Sequence, residues 1–338
     1  MNRCIQLAKL GAGYVAPNPM VGAVLVYENK IIGEGYHQNY GEAHAEVNCI
    51  NSVDEKYKSL IGKSTIYVSL EPCSHYGKTP PCADLIIKNK IQKAVIGIKD
   101  IYKKVDGTGI QKLQNAGLEV ITGVMENECR HLNKRFFTFH QNKRPYIILK
   151  WAQSANGKIG SNIGQRILIS NDYSNRLVHK WRSEEAALLV GTNTTLIDNP
   201  SLTTRLWKGK NPVRIVIDRE LKLSSGLKIF NNEARTIIFN CAKNSVEENI
   251  QYIKLENKNF LQDLLHSLFE LNIQSVMVEG GRKTLQFFID AGLWDEAGVI
   301  TNEEMIIENG IAAPEMKSFK LIKQEKYFSD KINYYEKS

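Results

Sequence analysis

Two short apolar runs, Val21 to Tyr27 and Ile31 to Tyr36, flank the polar triplet Glu28-Asn-Lys30, and that spacing predicts a β-hairpin. A helical period follows over Ala43 to Ile50. Apolar runs and amphipathic stretches then alternate: strand Thr65 to Ser69, helix Ala83 to Asn89, strand Ala94 to Ile98, helix Ile110 to Ala116 and strand Glu119 to Gly123. Strands and helices in that order predict a three-layer α/β domain. A last helix, Glu126 to about His140, runs into the polar segment Gln141-Asn-Lys-Arg-Pro145, where Pro145 disfavours helix at Arg144. A boundary is expected there, between residues 1–143 and 144–338.

The second half restarts the pattern. Strands are predicted at Tyr146 to Lys150, Ala187 to Gly191, Arg214 to Asp218, Thr236 to Asn240 and Ser275 to Glu279. Helices are predicted at Tyr173 to Ser183, Leu261 to Leu271 and Thr284 to Ala291. This is a second α/β domain, unrelated to the first by any repeat, and two domains suit a chain of 338 residues.

Composition narrows the class. With 43% hydrophobic and 24% charged residues the chain lacks the bias of disorder. Its longest apolar runs, such as Pro145-Tyr-Ile-Ile-Leu149, are too short to span a bilayer, and Met1-Asn-Arg-Cys4 opens no signal sequence, so a cytoplasmic protein without membrane partners is expected. Six cysteines in such a chain point to thiol or metal chemistry rather than disulfides. The net charge of +8 suits an anionic partner, a nucleic acid or a small phosphorylated substrate, without choosing between them. The basic residues are scattered, as on a solvated surface.

The chemistry concentrates in His44-Ala-Glu46, Pro72-Cys73 and Pro81-Cys82. One nitrogen and two sulfur ligands, with a fourth position open, make a catalytic rather than a closed structural zinc site. Zinc so held makes water nucleophilic near neutral pH, able to attack a ring carbon bearing an amino group. Glu46, two residues after His44, is the candidate acid and base that moves a proton from water to departing ammonia. Eight residues separate the cysteines, where zinc deaminases of the Pro-Cys-x-x-Cys type have two. The ligand geometry survives this if Pro80-Pro81 precedes a helix with Cys82 in its first turn, which favours a thiolate. Cys4, Cys49, Cys129 and Cys241 lack ligand spacing, and His75 is left as a loop residue.

Pro17-Asn-Pro-Met-Val-Gly22, Gly33-Glu-Gly-Tyr-His37, Gly41-Glu-Ala-His-Ala-Glu46 and Glu71-Pro-Cys-Ser-His-Tyr-Gly-Lys-Thr-Pro-Pro-Cys82 resemble the bifunctional riboflavin-biosynthesis deaminase/reductase family over nearly the whole chain. The resemblance implies a cytidine-deaminase-like first domain fused to a dihydrofolate-reductase-like second one. It implies deamination of a phosphorylated diamino-pyrimidine, with Asn18 touching substrate, followed by reduction of the ribosyl group to ribityl with NADPH. An Asx turn between two prolines is the other reading of Asn18.

In the second half the resemblance places Lys150, Arg182, Leu202, Arg205 and Glu279 at the substrate, the two arginines clamping its phosphate. Ala152, Leu168, Thr194, Asp198 and Arg219 take cofactor positions. Gly281, after the apolar strand, can offer backbone N–H to a cofactor phosphate, with Arg282 and Lys283 adding charge for the 2′-phosphate. The chain departs from the family at Ile167-Leu-Ile-Ser170, where Trp often stands before Ile-Thr/Ser, at Ser154-Ala-Asn-Gly157, and in Ile300-Thr-Asn-Glu-Glu-Met-Ile-Ile307 after Asp295-Glu296. One zinc per chain, NADPH and a homo-oligomer are expected. The alternatives are a base deaminase acting on nucleic acid, which leaves the second domain without a role and lacks a base-stacking platform, a non-catalytic binding module that keeps the fold, and a deaminase whose reductase half is degenerate.

Overall fold

A computed structural model describes residues 1–76, 80–102 and 105–338, so Gly77-Lys-Thr79 of the inter-cysteine motif lies outside the described residues. The chain divides into two compact units, Met1–Lys143 and Arg144–Ser338. No helix among the described residues is long and apolar enough to cross a membrane.

The first unit runs α1 (Asn2–Ala8), β1 (Gly22–Tyr27), β2 (Lys30–Tyr36), α2 (Ala45–Asn51), β3 (Thr65–Leu70), α3 (Cys82–Lys88), β4 (Lys93–Ile98), α4 (Thr108–Asn115), β5 (Glu119–Thr122), α5 (Glu126–Leu132) and α6 (Lys134–Asn142). Its sheet has the order β2-β1-β3-β4-β5, with β3, β4 and β5 parallel and β1 antiparallel to both its neighbours. The hairpin turns at Glu28 and Asn29, both at positive φ. β4 is apolar on both faces because helices cover both. Ala45, Cys49, Ala83, Ile86 and Leu113 of α2, α3 and α4 pack on one face, and Ile5, Cys129 and Phe137 of α1, α5 and α6 cover the other. Those two faces make three layers.

The single helix expected over Glu126 to His140 is two, broken at Asn133. The Asn133 side chain accepts from Met20 N–H at 2.8 Å and donates to Met20 C=O at 2.9 Å, a reciprocal pair 113 residues apart along the chain. That distant partner is why local periodicity misses the break.

The second unit runs β6 (Tyr146–Ser154), β7 (Lys158–Ser161), α7 (Asp172–Glu184), β8 (Ala187–Gly191), α8 (Thr192–Asp198), β9 (Val213–Ile217), β10 (Thr236–Asn240), β11 (Ser245–Glu247), β12 (Ile250–Lys254), α9 (Phe260–Glu270), β13 (Ser275–Gly280), α10 (Arg282–Asp290), β14 (Glu296–Asn302), β15 (Gly310–Ala312), β16 (Phe319–Tyr327) and β17 (Asp330–Lys337). A ten-stranded sheet has the order β11-β12-β10-β9-β8-β13-β6-β14-β17-β16, parallel from β12 through β14. Alternate residues of its strands face opposite cores: Ala187 and Leu189 pack with Phe260, Leu264 and Phe288, while Leu188 and Val190 pack with Val216, Ile238 and Met277. The departing segment after Asp295 keeps its place in the sheet, since β14 pairs with β6 from Glu296↔Ile148 to Asn302↔Ser154. The strand at Ser275 extends to Gly280 and the helix after it opens at Arg282, two residues before the expected start.

Candidate functional site

In the first unit His44 caps α2 with extended backbone, Cys73 follows the end of β3, and Cys82 is the first residue of α3 behind Pro81. The two sulfurs stand 3.5 and 3.3 Å from His44 Nδ1, and all three ligand atoms lie within 4.8 Å of one another. Cys82 N–H donates to Cys73 Sγ at 3.3 Å and Ala83 N–H to Cys73 C=O at 3.1 Å, so the first turn of α3 holds the other cysteine in place. Hydrogen bonding from Cys82 holds the Cys73 thiol down to about 4, against burial and with help from His44. The hydrogen bond to Cys73 and burial push Cys82 the other way. A divalent cation held among one imidazole and two sulfurs would favour the thiolate form of both cysteines. The donor set and spacing fit zinc.

Glu46, 3% exposed in the first turn of α2, is pushed up to about 7, chiefly by burial and then by the negative charge at Cys73. Asn18 makes no Asx turn. Its Nδ2 stands 3.1 Å from His37 Nε2, while His37 Nδ1 stands 3.0 Å from Ala43 C=O. A carbonyl only accepts, so Nδ1 carries the proton and Nε2 accepts from Asn18. Burial lowers the His37 pKa and keeps the ring neutral. The His37 and His44 rings lie edge to face, centroids 5.3 Å apart, which puts Asn18 beside the candidate metal ligands.

Glu71 ties this site to the rest of the unit. Its Oε2 accepts the N–H groups of Asp100 (3.1 Å) and Gly107 (3.0 Å), and its Oε1 those of Gly109 (2.9 Å) and Ile110 (3.2 Å). A Cβ at Gly109 would overlap Pro72 C=O, so glycine is required where α4 meets the Cys73 loop. In the sequence Glu71 and His37 stand only as members of their motifs, with no role of their own marked. A carboxylate closing an apolar strand was the available signal for Glu71.

In the second unit, Lys150 on β6, Arg182 on α7, Arg205 and Glu279 at the end of β13 share one electrostatic neighbourhood. Arg182 is committed within the protein: its Nε and Nη2 donate to the two Glu279 oxygens at 2.6 Å each, and Nη1 reaches Thr203 C=O at 3.4 Å. Two residues expected to contact substrate therefore also hold each other. Burial raises the Glu279 pKa, but Arg182 outweighs it, with Lys150 and His179, and holds the carboxyl at about 2. Burial lowers Lys150. Leu202 is 2% exposed at φ 49°, whereas Arg205 is exposed. His179 and Thr203, both buried here, were not anticipated.

Of the cofactor candidates, Gly281, Arg282 and Lys283 sit at the head of α10 with Thr194 beside them, and among the described residues no contact joins Ala152, Leu168 or Asp198 to that helix start. Gly281 caps the helix, Arg282 and Lys283 are its first residues, and a Cβ on Gly281 would stand 2.9 Å from Thr194 Oγ1. Bare backbone beside a hydroxyl at a helix start suits a cofactor phosphate. Burial raises the Asp198 pKa against the pull of Arg166. Ala152 packs by Val178, Ile300 and Ile332, and Leu168 is 68% exposed. The Arg219 guanidinium lies 4.2 Å from the Phe260 ring centroid and donates to Asn257 Oδ1 at 3.2 Å.

Family models match the two halves separately: the cytidine and deoxycytidylate deaminase zinc-binding region over residues 1–98, and the RibD C-terminal domain over residues 145–302. The class is therefore a zinc-dependent deaminase fused to an NADPH-dependent reductase. Riboflavin biosynthesis protein RibD of Aquifex aeolicus is 43% identical over 87% of this chain and 83% of its own, and that of Escherichia coli 35% identical over 88% and 84%. A crystal structure of a diaminohydroxyphosphoribosylaminopyrimidine deaminase/5-amino-6-(5-phosphoribosylamino)uracil reductase from Thermotoga maritima shares 37% identity and a TM-score of 0.90, covering 100% of this chain and 97% of that one. Acinetobacter baumannii RibD shares 28% identity and a TM-score of 0.89 with the same coverage. The chain belongs to the RibD family of riboflavin biosynthesis proteins.

Proposed function

We infer that the chain performs two consecutive steps of riboflavin biosynthesis. Residues 1–143 deaminate 2,5-diamino-6-(5-phosphoribosylamino)pyrimidin-4-one by hydrolysis, and residues 144–338 reduce the ribosyl side chain of the product to ribityl. The observation that carries the reading is His44, Cys73 and Cys82 with their ligand atoms within 4.8 Å, beside a buried Glu46, in a chain that also holds the cationic Lys150, Arg182 and Arg205 group. Nothing favours a nucleic-acid base as substrate.

His44, Cys73 and Cys82 would hold the zinc, which when bound supplies the Lewis acidity that makes water a nucleophile. Glu46, with an affinity for protons near neutrality, takes a proton from that water and returns it to the leaving ammonia. Asn18, its Nδ2 engaged by His37, turns Oδ1 toward the substrate's ring amino group. In the second domain NADPH supplies the reducing equivalent. Gly281, Thr194, Asp198, Arg219, Arg282 and Lys283 seat the cofactor, with Ala152 and Leu168 beside it. Arg205 binds the substrate phosphate, Lys150 adds positive charge, Leu202 lines the pocket, and Glu279 fixes Arg182 while facing the sugar. A cytoplasmic location goes with this reading, as does a homo-oligomer, for which the exposed Phe319, Leu321 and Ile322 of edge strand β16 speak.

Glu46→Gln tests the proton shuttle. The variant is expected to keep its zinc, to lose roughly 10²- to 10⁴-fold in ammonia release, and to oxidise NADPH normally when given deaminated substrate. Ammonia release near the native rate would remove Glu46 from the mechanism.

A further inference from the structure

Helix α7 grips the segment Leu202–Arg205 with side chains one turn apart. His179 Nδ1 accepts the Arg205 backbone N–H at 3.0 Å, and Arg182 Nη1 donates to Thr203 C=O at 3.4 Å. Within the segment, Arg205 Nη1 donates to Thr203 Oγ1 at 3.3 Å. Leu202 starts it at φ 49°, a conformation costly for a branched side chain and sustained here by burial to 2% exposure. Arg205 is thus held through its backbone, with its guanidinium resting on Thr203, while the residue as a whole stays exposed.

His179 is itself 5% exposed. The charged groups that face it are Arg182 on its own helix, Arg205 on the gripped segment, Lys150 on β6 and Glu279 on β13. Burial first, and then Arg182 and Arg205 with Lys150, outweigh Glu279 and hold the imidazole pKa at about 4. The ring is neutral at ordinary pH, with its proton on Nε2, because Nδ1 accepts.

We propose that His179 is the positioning residue that sets Arg205 for the substrate phosphate in the reductase site. The proposal rests on the reading of Arg205 as the phosphate ligand. Without the Nδ1 acceptor the Arg205 N–H is left without its partner, the Arg205 end of the segment shifts while Leu202 stays buried, and the guanidinium loses its place. The phosphate is remote from the carbon that is reduced, so the loss falls on binding and not on turnover.

The full zinc-loaded chain is assayed for NADPH oxidation with the deaminated phosphoribosylamino-uracil and with its dephosphorylated counterpart. His179→Phe is expected to raise KM for the phosphorylated substrate about ten-fold, the worth of one buried hydrogen bond, with kcat and the KM of the dephosphorylated substrate unchanged. Arg205→Ala does the same. His179→Asn, whose amide oxygen reaches the place of Nδ1, restores most of the affinity, and His179→Gln, which reaches toward Nε2, does not. A raised KM in Arg205→Ala with a native KM in His179→Phe overturns the proposal alone. A native KM in Arg205→Ala overturns the phosphate reading and the proposal with it. Should His179→Phe fail to fold, Asn and Gln variants decide: equal KM values refute the role, and tighter binding by the Asn variant supports it.

Discussion

Replacing Glu71 by Gln tests whether the metal loop depends on one side chain. The native carboxylate accepts four backbone N–H groups, two on each oxygen. A glutamine keeps one oxygen and sets an NH2 group against the other two donors, so two N–H groups lose their acceptor in a site where Glu71 is only 4% exposed. At about 1–3 kcal/mol for each unsatisfied buried donor, the local cost is about 2–6 kcal/mol. The lower bound already means roughly thirty-fold more frequent opening of the junction between the Cys73 loop and α4. Amide hydrogen exchange of Asp100, Gly107, Gly109 and Ile110, read beside the rate of zinc release to a chelator, measures this directly. Native protection of those four amides with native zinc release would refute the reasoning.

Glu279 gives a pH signature. Its folded carboxyl is held at about 2 against an ordinary value of 4.5, so the pair with Arg182 stabilises fully above 4.5 and loses that contribution as pH falls toward about 2. The stability difference between the native protein and Glu279→Gln, measured by denaturant unfolding, is expected to shrink through that window; a difference independent of pH contradicts it. For assembly, sedimentation is expected to give a multiple of 38.3 kDa, and a monomer at micromolar concentration would end the homo-oligomer reading.

The parts of the fold legible in the sequence are those whose burial is regular. β8 and β10 are buried at every position, so a continuous apolar run betrays them. β16 is exposed along most of its length, with Lys320, Lys323 and Lys326 interrupting its apolar residues, and among the described residues it pairs only with β17, so no period marks it. The candidate zinc ligands stand out in the sequence because metal chemistry restricts residue types and His44 to Glu46 is a local pattern. The Arg182 and Glu279 pair was not, because its partners lie 97 residues apart and each was read separately as a substrate contact. His179 shows the same limit: a histidine between Val178 and Lys180 carries no mark of the backbone amide it will meet.

The reciprocal bond between Asn133 and Met20 makes the deaminase unit a loop closed by its own last helices. Residues 1–98, the stretch matching the zinc-binding region, contain His44, Cys73 and Cys82 but not the amide that clasps Met20, two positions from Asn18. The candidate metal ligands and the clasp on the Asn18 segment thus lie on separate stretches of the chain, and a chain cut after residue 98 would carry the first without the second.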